Sequence, residues 1–413
     1  MQIAIIADDL TSATDGGIQF ARVGFRSVVT LDCLNVSQLA DWPVVAADAD
    51  SRAKTAVAAG VSIATCVRAL RGRDLLYKTV DSTLRGHVAV ELRAAQRESG
   101  RSRTVFAPAF PANGRTTCEG RQFLDGVPLA ETAFSRDPSH PISDDNILSI
   151  LTVGGLTGIR IVNRAALRDR AAVNAALENA SCLVADAETD EDLEILVRAV
   201  ASPFDVLWVG SPGLARALGI SVGREVSNAA TPGSARRLIV AVGSLNPASR
   251  RQLDALQRRL DSIVIEVAAA GALEDPRRAA QIALESATAA RNASGTEVVI
   301  VTSSAANAAS QVPGAATAGV AEAIARVVES LHCDHPFDGF VLTGGDTAVS
   351  VVRRLGATGI ELESEFAPGA AVGSLFGNTS ARVLTKAGGF GDDAALIRAC
   401  QYLRGEPLAG DAC

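Results

Sequence analysis

Short aliphatic runs recur along this chain. Each breaks into a polar or glycine turn and then into an alanine-rich segment of helical length. Ile3–Ala7, Leu238–Val242 and Gly339–Thr343 are three such runs. They are too short for helices and too continuous for strands with one wet face, so they read as strands buried on both faces. Their alternation with helical segments restricts the chain to α/β layers on largely parallel sheets. At 413 residues the chain exceeds one ordinary core, so two α/β domains are expected. Residues 227–234, small, polar and carrying Pro-Gly, place the boundary, giving domains at 1–228 and 235–413.

Composition narrows the function classes. Aromatics are only 4% while hydrophobic residues reach 48%, which suits layers packed with aliphatic side chains. A formal charge of −7 argues against nucleic-acid or anionic-membrane partners, which reward a basic face. The seven cysteines are dispersed and form no C-x-x-C pair, so neither a zinc framework nor a thiol redox motif is expected, and the odd count suits a reducing compartment. The chain opens strand-like and turns acidic at Asp8, unlike a signal peptide, and no apolar run approaches membrane-spanning length. A cytoplasmic protein is expected; its oligomeric state stays open.

Along the first half, strands are expected at 3–7, 25–31, 42–47, 74–80 and 104–107, with helices at 51–70 and 88–97. Residues 108–117 read as a proline-broken loop. Alternation resumes after Asn146. In the second half strands are expected at 238–242, 263–267, 297–302, 339–343 and 381–385. Asn246 caps a helix opening on Pro247, and residues 303–319 read as a loop.

Three constellations carry chemistry. Asp8 and Asp9 end the first strand and precede a helix. One Asp there is accounted for as an N-cap; two exceed that need, and strand ends are where open α/β sheets bind ligands. The second is KTVDSTLRG, which sets Lys78, Asp81, Ser82, Thr83 and Arg85 at another strand end. Arginine grips a carboxylate through paired hydrogen bonds, and Asp, Ser and Thr suit vicinal hydroxyls. Nearby, PAFPANGRTT adds Asn113 and Arg115 beside the flexible Gly114. Helix capping by Asp81 or Ser82, with Arg85 in water, is the plainer account of that turn. The third is a set of glycine turns after strands of the second half: Gly243-Ser244, Gly344-Gly345-Asp346-Thr347 and Gly388-Gly389-Phe390-Gly391-Asp392. Turns that lead into helix N-termini expose N–H groups and suit phosphate. Neither a Walker A loop nor G-x-G-x-x-G is present, and G-x-S-x-G is absent. His332 and His335 flank Cys333 and Asp334, and read as a polar loop end rather than a metal site.

Six segments taken together, ADDLTSATDGG, KTVDSTLRG, PAFPANGRTT, GSPGLA, LTGGDTA and TKAGGFGD, resemble the four-carbon acid sugar kinases in order and spacing, over nearly the whole chain. The resemblance implies an N-terminal sugar-acid-binding domain, a C-terminal nucleotide-binding domain and an active site in the cleft between them. It implies ATP, with Mg²⁺, phosphorylating the terminal hydroxyl of a tetronate or 3-oxo-tetronate. Carried over by residue, the nucleotide site is Ser244, Gly344, Gly345, Asp346, Thr347 and Gly388. The acid-sugar site is Asp8, Asp9, Asp81, Ser82, Arg85, Asn113 and Arg115, with Lys78 a further candidate for the carboxylate. Asp8, Asp9 and Asp346 are the candidates to orient the attacking hydroxyl; Asp346 is also a candidate to organise the metal, whose ligands stay unassigned. Ser12 and Gly16 depart from the Gly and Thr usual in the family. The DSTLRG form resembles the D-threonate and D-erythronate kinases more than the 3-oxo-tetronate branch. Two other classes compete: a nucleotide-cofactor oxidoreductase, disfavoured by the missing dinucleotide fingerprint, and a non-catalytic sugar-acid sensor.

Overall fold

A computed structural model describes residues 1–34, 36–137, 140–223, 234–244, 246–293, 297–304, 315–377 and 379–408. The chain divides into two compact units, Met1–Asn228 and Ala229–Cys413. Among the described residues no helix is long and apolar enough to cross a membrane.

The first unit opens with β1 (Ile3–Ala7), α1 (Leu10–Ala21), β2 (Ser27–Thr30), β3 (Val44–Asp48), α2 (Ala56–Leu70), β4 (Leu75–Thr79), α3 (Val88–Ser99) and β5 (Arg103–Ala107). A small antiparallel sheet follows, β6 (Arg115–Cys118), β7 (Arg121–Leu124) and β8 (Val127–Pro128). Then come α4 (Ile147–Val153), β9 (Ile159–Val162), α5 (Arg164–Leu167), α6 (Arg170–Glu178), β10 (Cys182–Ala185), α7 (Asp190–Ala199), β11 (Val206–Gly210) and α8 (Pro212–Val222). The main strands run parallel in the order β2-β3-β1-β4-β11-β5-β10-β9. The adjacent interior strands β1 and β4 are buried along their whole length, as helices on both faces require.

The second unit contains β12 (Leu238–Val242), α9 (Pro247–Arg259), β13 (Ile263–Val267), α10 (Ala269–Glu274), α11 (Pro276–Ala293), β14 (Val298–Ser303), α12 (Ala315–Asp334), β15 (Gly339–Thr343) and α13 (Gly345–Arg354). It ends with β16 (Ala357–Ala367), β17 (Ala370–Gly377), β18 (Arg382–Lys386) and α14 (Ala395–Arg404). Its order is β13-β14-β12-β15-β18-β17-β16, parallel except for the pairings of β17. The core of β12, β14 and β15 closes against α9 and α14 through Leu238, Val240, Leu253, Leu256, Leu396 and Leu403.

Several expectations need correcting. The helix expected from residue 51 starts at Ala56, because the Thr55 side chain caps it by accepting the Ala58 N–H; residues 49–55 are a turn. The loop expected at 108–117 is a short 3₁₀ turn feeding the β6–β7 hairpin. The hairpin β16–β17 was not expected: its alternating Glu and Ser residues hide an apolar face that only the register reveals. Of the loop expected at 303–319, Ser303 ends β14 and residues 315–319 open α12, while 305–314 lie outside the described residues. The boundary segment expected at 227–234 likewise falls almost entirely outside them. Cys33 and Cys66 form a disulfide across 33 positions, joining the connection after β2 to α2. Spacing gave no hint of it, since β2 and α2 come together only through the sheet.

Candidate active-site residues in the two units

In the first unit the chain leaves β1 through α1 toward β2, and leaves β4 through α3 toward β5 on the other side. β1 and β4 are neighbours, so the crevice at their carboxyl ends is a topological switch point, the usual ligand position of an open α/β sheet. Asp8 and Asp9 stand at one lip and Asp81 and Ser82 at the other.

Asp9 caps α1, accepting the Ser12 N–H at 2.7 Å. Asp8 caps nothing. Both its oxygens are taken by Arg52, Nε at 2.7 Å and Nη2 at 3.0 Å, and the same guanidinium reaches the Asp9 carboxylate and, at 2.9 Å, the Ser12 hydroxyl. Arg52 rides on the turn after β3. That turn is pinned because the Ser51 and Arg52 N–H groups both donate to the Asp8 carbonyl, at 2.8 and 3.1 Å. Residue 8 therefore holds the arginine by its backbone and by its side chain.

Beneath this layer Lys78, 2% exposed, pairs with Glu91 at 2.9 Å, and the Ser51 hydroxyl donates to the other Glu91 oxygen at 2.6 Å. The ammonium expected to reach toward substrate is thus held below the acids. Burial pushes the Asp8 carboxyl up, but the Arg52 guanidinium, helped by Lys78, outweighs it and holds Asp8 below the ordinary value. Burial and the neighbouring Asp8 charge leave Asp9 raised. One carboxylate is fixed as an anion, and the other takes a proton more readily than an ordinary aspartate.

At the other lip, Asp81 accepts from the Thr83 N–H and hydroxyl at 3.1 and 3.0 Å and from Arg85 Nε at 2.5 Å. Burial opposes ionisation of Asp81, yet Arg85 and Arg52 depress it far below the ordinary value. The turn is tight, with Leu84 at φ 57° and Gly86 at φ 91°. That positive φ, which a side chain would strain, lets Gly86 turn back to within van der Waals reach of Asp8, a Cβ there lying 3.4 Å from an Asp8 oxygen. Ser82 is buried, its carbonyl accepting from Gln122 of β7 at 2.8 Å. The Asn113 Nδ2 is buried and has no acceptor among the described residues. Arg115 donates to the Asn113 carbonyl, and its charge interacts with both Asp81 and Arg85. Arg85 lies over the Phe134 ring and 3.6 Å from Asp137. The structure thus gathers Asp8, Asp9, Asp81, Arg85 and Arg115 with the unforeseen Arg52. The signal for Arg52 was an Arg just past the acidic strand end of β3, hidden by reading that segment as helix. Carboxylates accept from hydroxyls and guanidiniums hold a carboxylate, so the crevice suits a small polyhydroxy acid.

In the second unit the chain leaves β12 toward β13 and leaves β15 toward β16, and these strands are adjacent, a second switch point. β12, β15 and β18 are parallel, so Ser244, Gly344 and Gly388 follow strand ends at one edge. Gly344, at φ 98°, precedes α13; a Cβ there would lie 3.5 Å from the Ser244 Cβ, and one on Gly388 would run into the Ser244 hydroxyl. Gly345, Asp346 and Thr347 form the first turn of α13, with Asp346 exposed and Thr347 buried. Asn246 caps α9 and Pro247 opens it. The third turn differs from expectation: α14 starts only at Ala395, so Gly388 and Gly389 are separate from its N-terminus. His332 Nδ1 accepts the Phe337 N–H, and the described residues contain no cluster of three metal-ligating side chains.

A family model described as a sugar-binding N-terminal domain matches residues 3–218, and one described as a nucleotide-binding C-terminal domain matches 239–396. A D-threonate kinase of Salmonella typhimurium is 31% identical over 100% of both chains. The chain belongs to the four-carbon acid sugar kinase family. Within the family, a D-threonate kinase of Cupriavidus necator is 34% identical, covering 98% of each chain. Other matching members are named D-erythronate kinase and 3-oxo-tetronate kinase. A solved structure from Salmonella typhimurium, described as a putative tRNA synthase and 24% identical, superposes with a TM-score of 0.79 over 96% of this chain and 98% of its own, which shows a shared fold.

Proposed function

We propose that this chain is an ATP-dependent kinase for the terminal hydroxyl of a four-carbon sugar acid, D-threonate or D-erythronate before a 3-oxo-tetronate. The observation that carries the reading is the pairing of acids with guanidiniums at the β1/β4 switch point, in a chain whose second switch point is lined by glycine turns. Asp8 and Asp9 accept from substrate hydroxyls, while Arg85 and Arg115 supply the positive charge for its carboxylate. Arg52 keeps Asp8 ionised and aimed. Ser244, Gly344, Gly345, Thr347 and Gly388 line the nucleotide phosphates.

Phosphoryl transfer asks the protein for positioning and charge neutralisation more than for covalent chemistry. The attacking hydroxyl is oriented by Asp8, with the raised Asp9 beside it as proton acceptor. Mg²⁺ carried on nucleotide phosphates needs only one or two protein carboxylates, and the exposed Asp346 in the glycine turn fits that requirement. An ion held there would supply charge neutralisation for the nucleotide phosphates.

The test is a panel of four-carbon acids assayed for ADP release. Phosphorylation of D-threonate or D-erythronate, with 3-oxo acids inert, supports the reading; turnover of 3-oxo acids alone moves the chain to the other branch. Acid binding without nucleotide turnover makes it a sensor, and an NAD(P)H absorbance change makes it an oxidoreductase.

A further inference from the structure

We propose that Lys386 is a positioning residue that draws carbonyls of the 387–391 loop inward and leaves the N–H groups of Gly388 and Gly389 outward, and so builds an anion cradle for nucleotide phosphate. The proposal rests on the nucleotide reading of the second unit. Lys386 is the last residue of β18, between β15 and β17. Its side chain is 5% exposed, and its ammonium donates to the carbonyls of Ala387 and Phe390, each at 2.8 Å. Ser249 donates to the Gly388 carbonyl at 2.7 Å, and the buried Gln252 donates to Phe390 and Gly391 at 3.0 Å. Four carbonyls of this loop are therefore held from the protein side.

A trans peptide points its C=O and its N–H in opposite directions. Inward carbonyls at Ala387 and Gly388 accordingly force the N–H groups of Gly388 and Gly389 outward. Among the described residues neither N–H has a protein acceptor. Successive outward N–H groups form an anion-binding concavity. The Lys386 carbonyl meanwhile accepts the Gly344 N–H at 3.1 Å, so one residue ties the loop to the glycine turn before α13.

Behind Lys386 lies a cavity of about 140 Å³ lined by Phe366, Pro368, Phe390, Ala395 and Leu408, with Arg398 at its edge paired to Asp392. Among the described residues no carboxylate pairs with the ammonium. Loss of hydration lowers Lys386 to about 8, and Arg398 of α14, which lines the same cavity, carries a like charge. α9 presents the neutral Ser249 and Gln252 to the loop, with its Arg251 paired to Asp393 just past it, and the stretches of β15 and β17 beside Lys386 carry no ionisable side chain. A nearby phosphate is the missing counter-charge.

The test measures ADP binding by calorimetry for wild type, Lys386→Met and Lys386→Arg, with tetronate binding and melting curves as controls for the fold. Lys386→Met weakens ADP binding about tenfold or more, as expected for losing charge-assisted bonds, with tetronate affinity unchanged. Wild-type affinity for ADP falls between about pH 7 and about pH 9.5 as the ammonium discharges; Lys386→Arg, charged throughout, loses that pH dependence. A Lys386→Met protein that binds ADP as wild type does, or a wild-type affinity flat over that pH range, overturns the proposal alone. Wild-type protein that binds no ADP overturns the nucleotide reading and this proposal with it.

Discussion

Replacing Arg52 with Met tests the acid cluster most directly. The substitution removes both bonds to Asp8 and those to Asp9 and Ser12, while keeping an apolar stem of similar length. Asp8 is 2% exposed, so it then stays ionised without a partner or takes up a proton. The first course costs about 3–5 kcal/mol. The second is capped by the work of protonating a carboxyl of ordinary pKa, about 4 kcal/mol at pH 7 and about 1.5 kcal/mol at pH 5. The variant should therefore lose about 3–4 kcal/mol at pH 7, and no more than about 1.5 kcal/mol at pH 5. The sign follows from the wild-type shift: Asp8 is held below its unfolded value, so its stabilisation is present above that value and fades as pH falls through the folded one. In the variant Asp8 is raised, so the gap between the proteins narrows toward acid. At about 2–4 °C per kcal/mol for a unit of this size, the melting temperature falls by roughly 6–16 °C at pH 7. Adding Asp8→Asn to Arg52→Met removes the orphaned charge and recovers most of the loss. Calorimetric melts of the three proteins between pH 5 and pH 7 decide the matter. A deficit under about 1 kcal/mol at pH 7, or one that ignores pH, refutes the account of Asp8 and Arg52.

Closing a loop across 33 positions, the Cys33–Cys66 bond should contribute about 3–4 kcal/mol through chain entropy; Cys33→Ser should lower the melting temperature, and dithiothreitol should bring wild type to the same value. Gly388→Ala drives a methyl into the Ser244 hydroxyl, so ADP affinity should fall about tenfold or more in a nucleotide titration while sugar-acid affinity holds. Asp8→Asn and Asp346→Asn should each cut turnover on tetronates by about a hundredfold or more, and near wild-type rates in both would remove them from the mechanism.

What was legible in the sequence had local causes. The aliphatic runs fixed strands such as Leu238–Val242 and Gly339–Thr343 to the residue, and Asn246-Pro247 announced α9. Asp8, Asp81 and the glycine turns stood out because each follows a strand directly. What stayed hidden depended on tertiary neighbours. Arg52 matters only because β3 lies beside β1, and Lys78 is withdrawn from the site only because α3 brings Glu91 over it. Cys33 and Cys66 were invisible for the same reason. The hairpin β16–β17 stayed hidden because the bulged β16 alternates only over 360–365, and β17 opens with four buried residues in a row, so the pairing follows from register and not from a shared period.

The strand order of the first unit has a consequence for how the chain can be made. Every side chain between Asp8 and Arg85 is synthesised early, yet β11, which wedges between β4 and β5, is encoded at Val206–Gly210. Until the ribosome has delivered that stretch, β4 presents a bare edge beside the acid cluster, and the carbonyl of Gly210 is not there to receive the Val80 N–H that anchors the turn carrying Asp81. A nascent chain halted before that point holds its acids and arginines without the wall that fixes them, so any fragment meant to bind sugar acid has to run past Gly210.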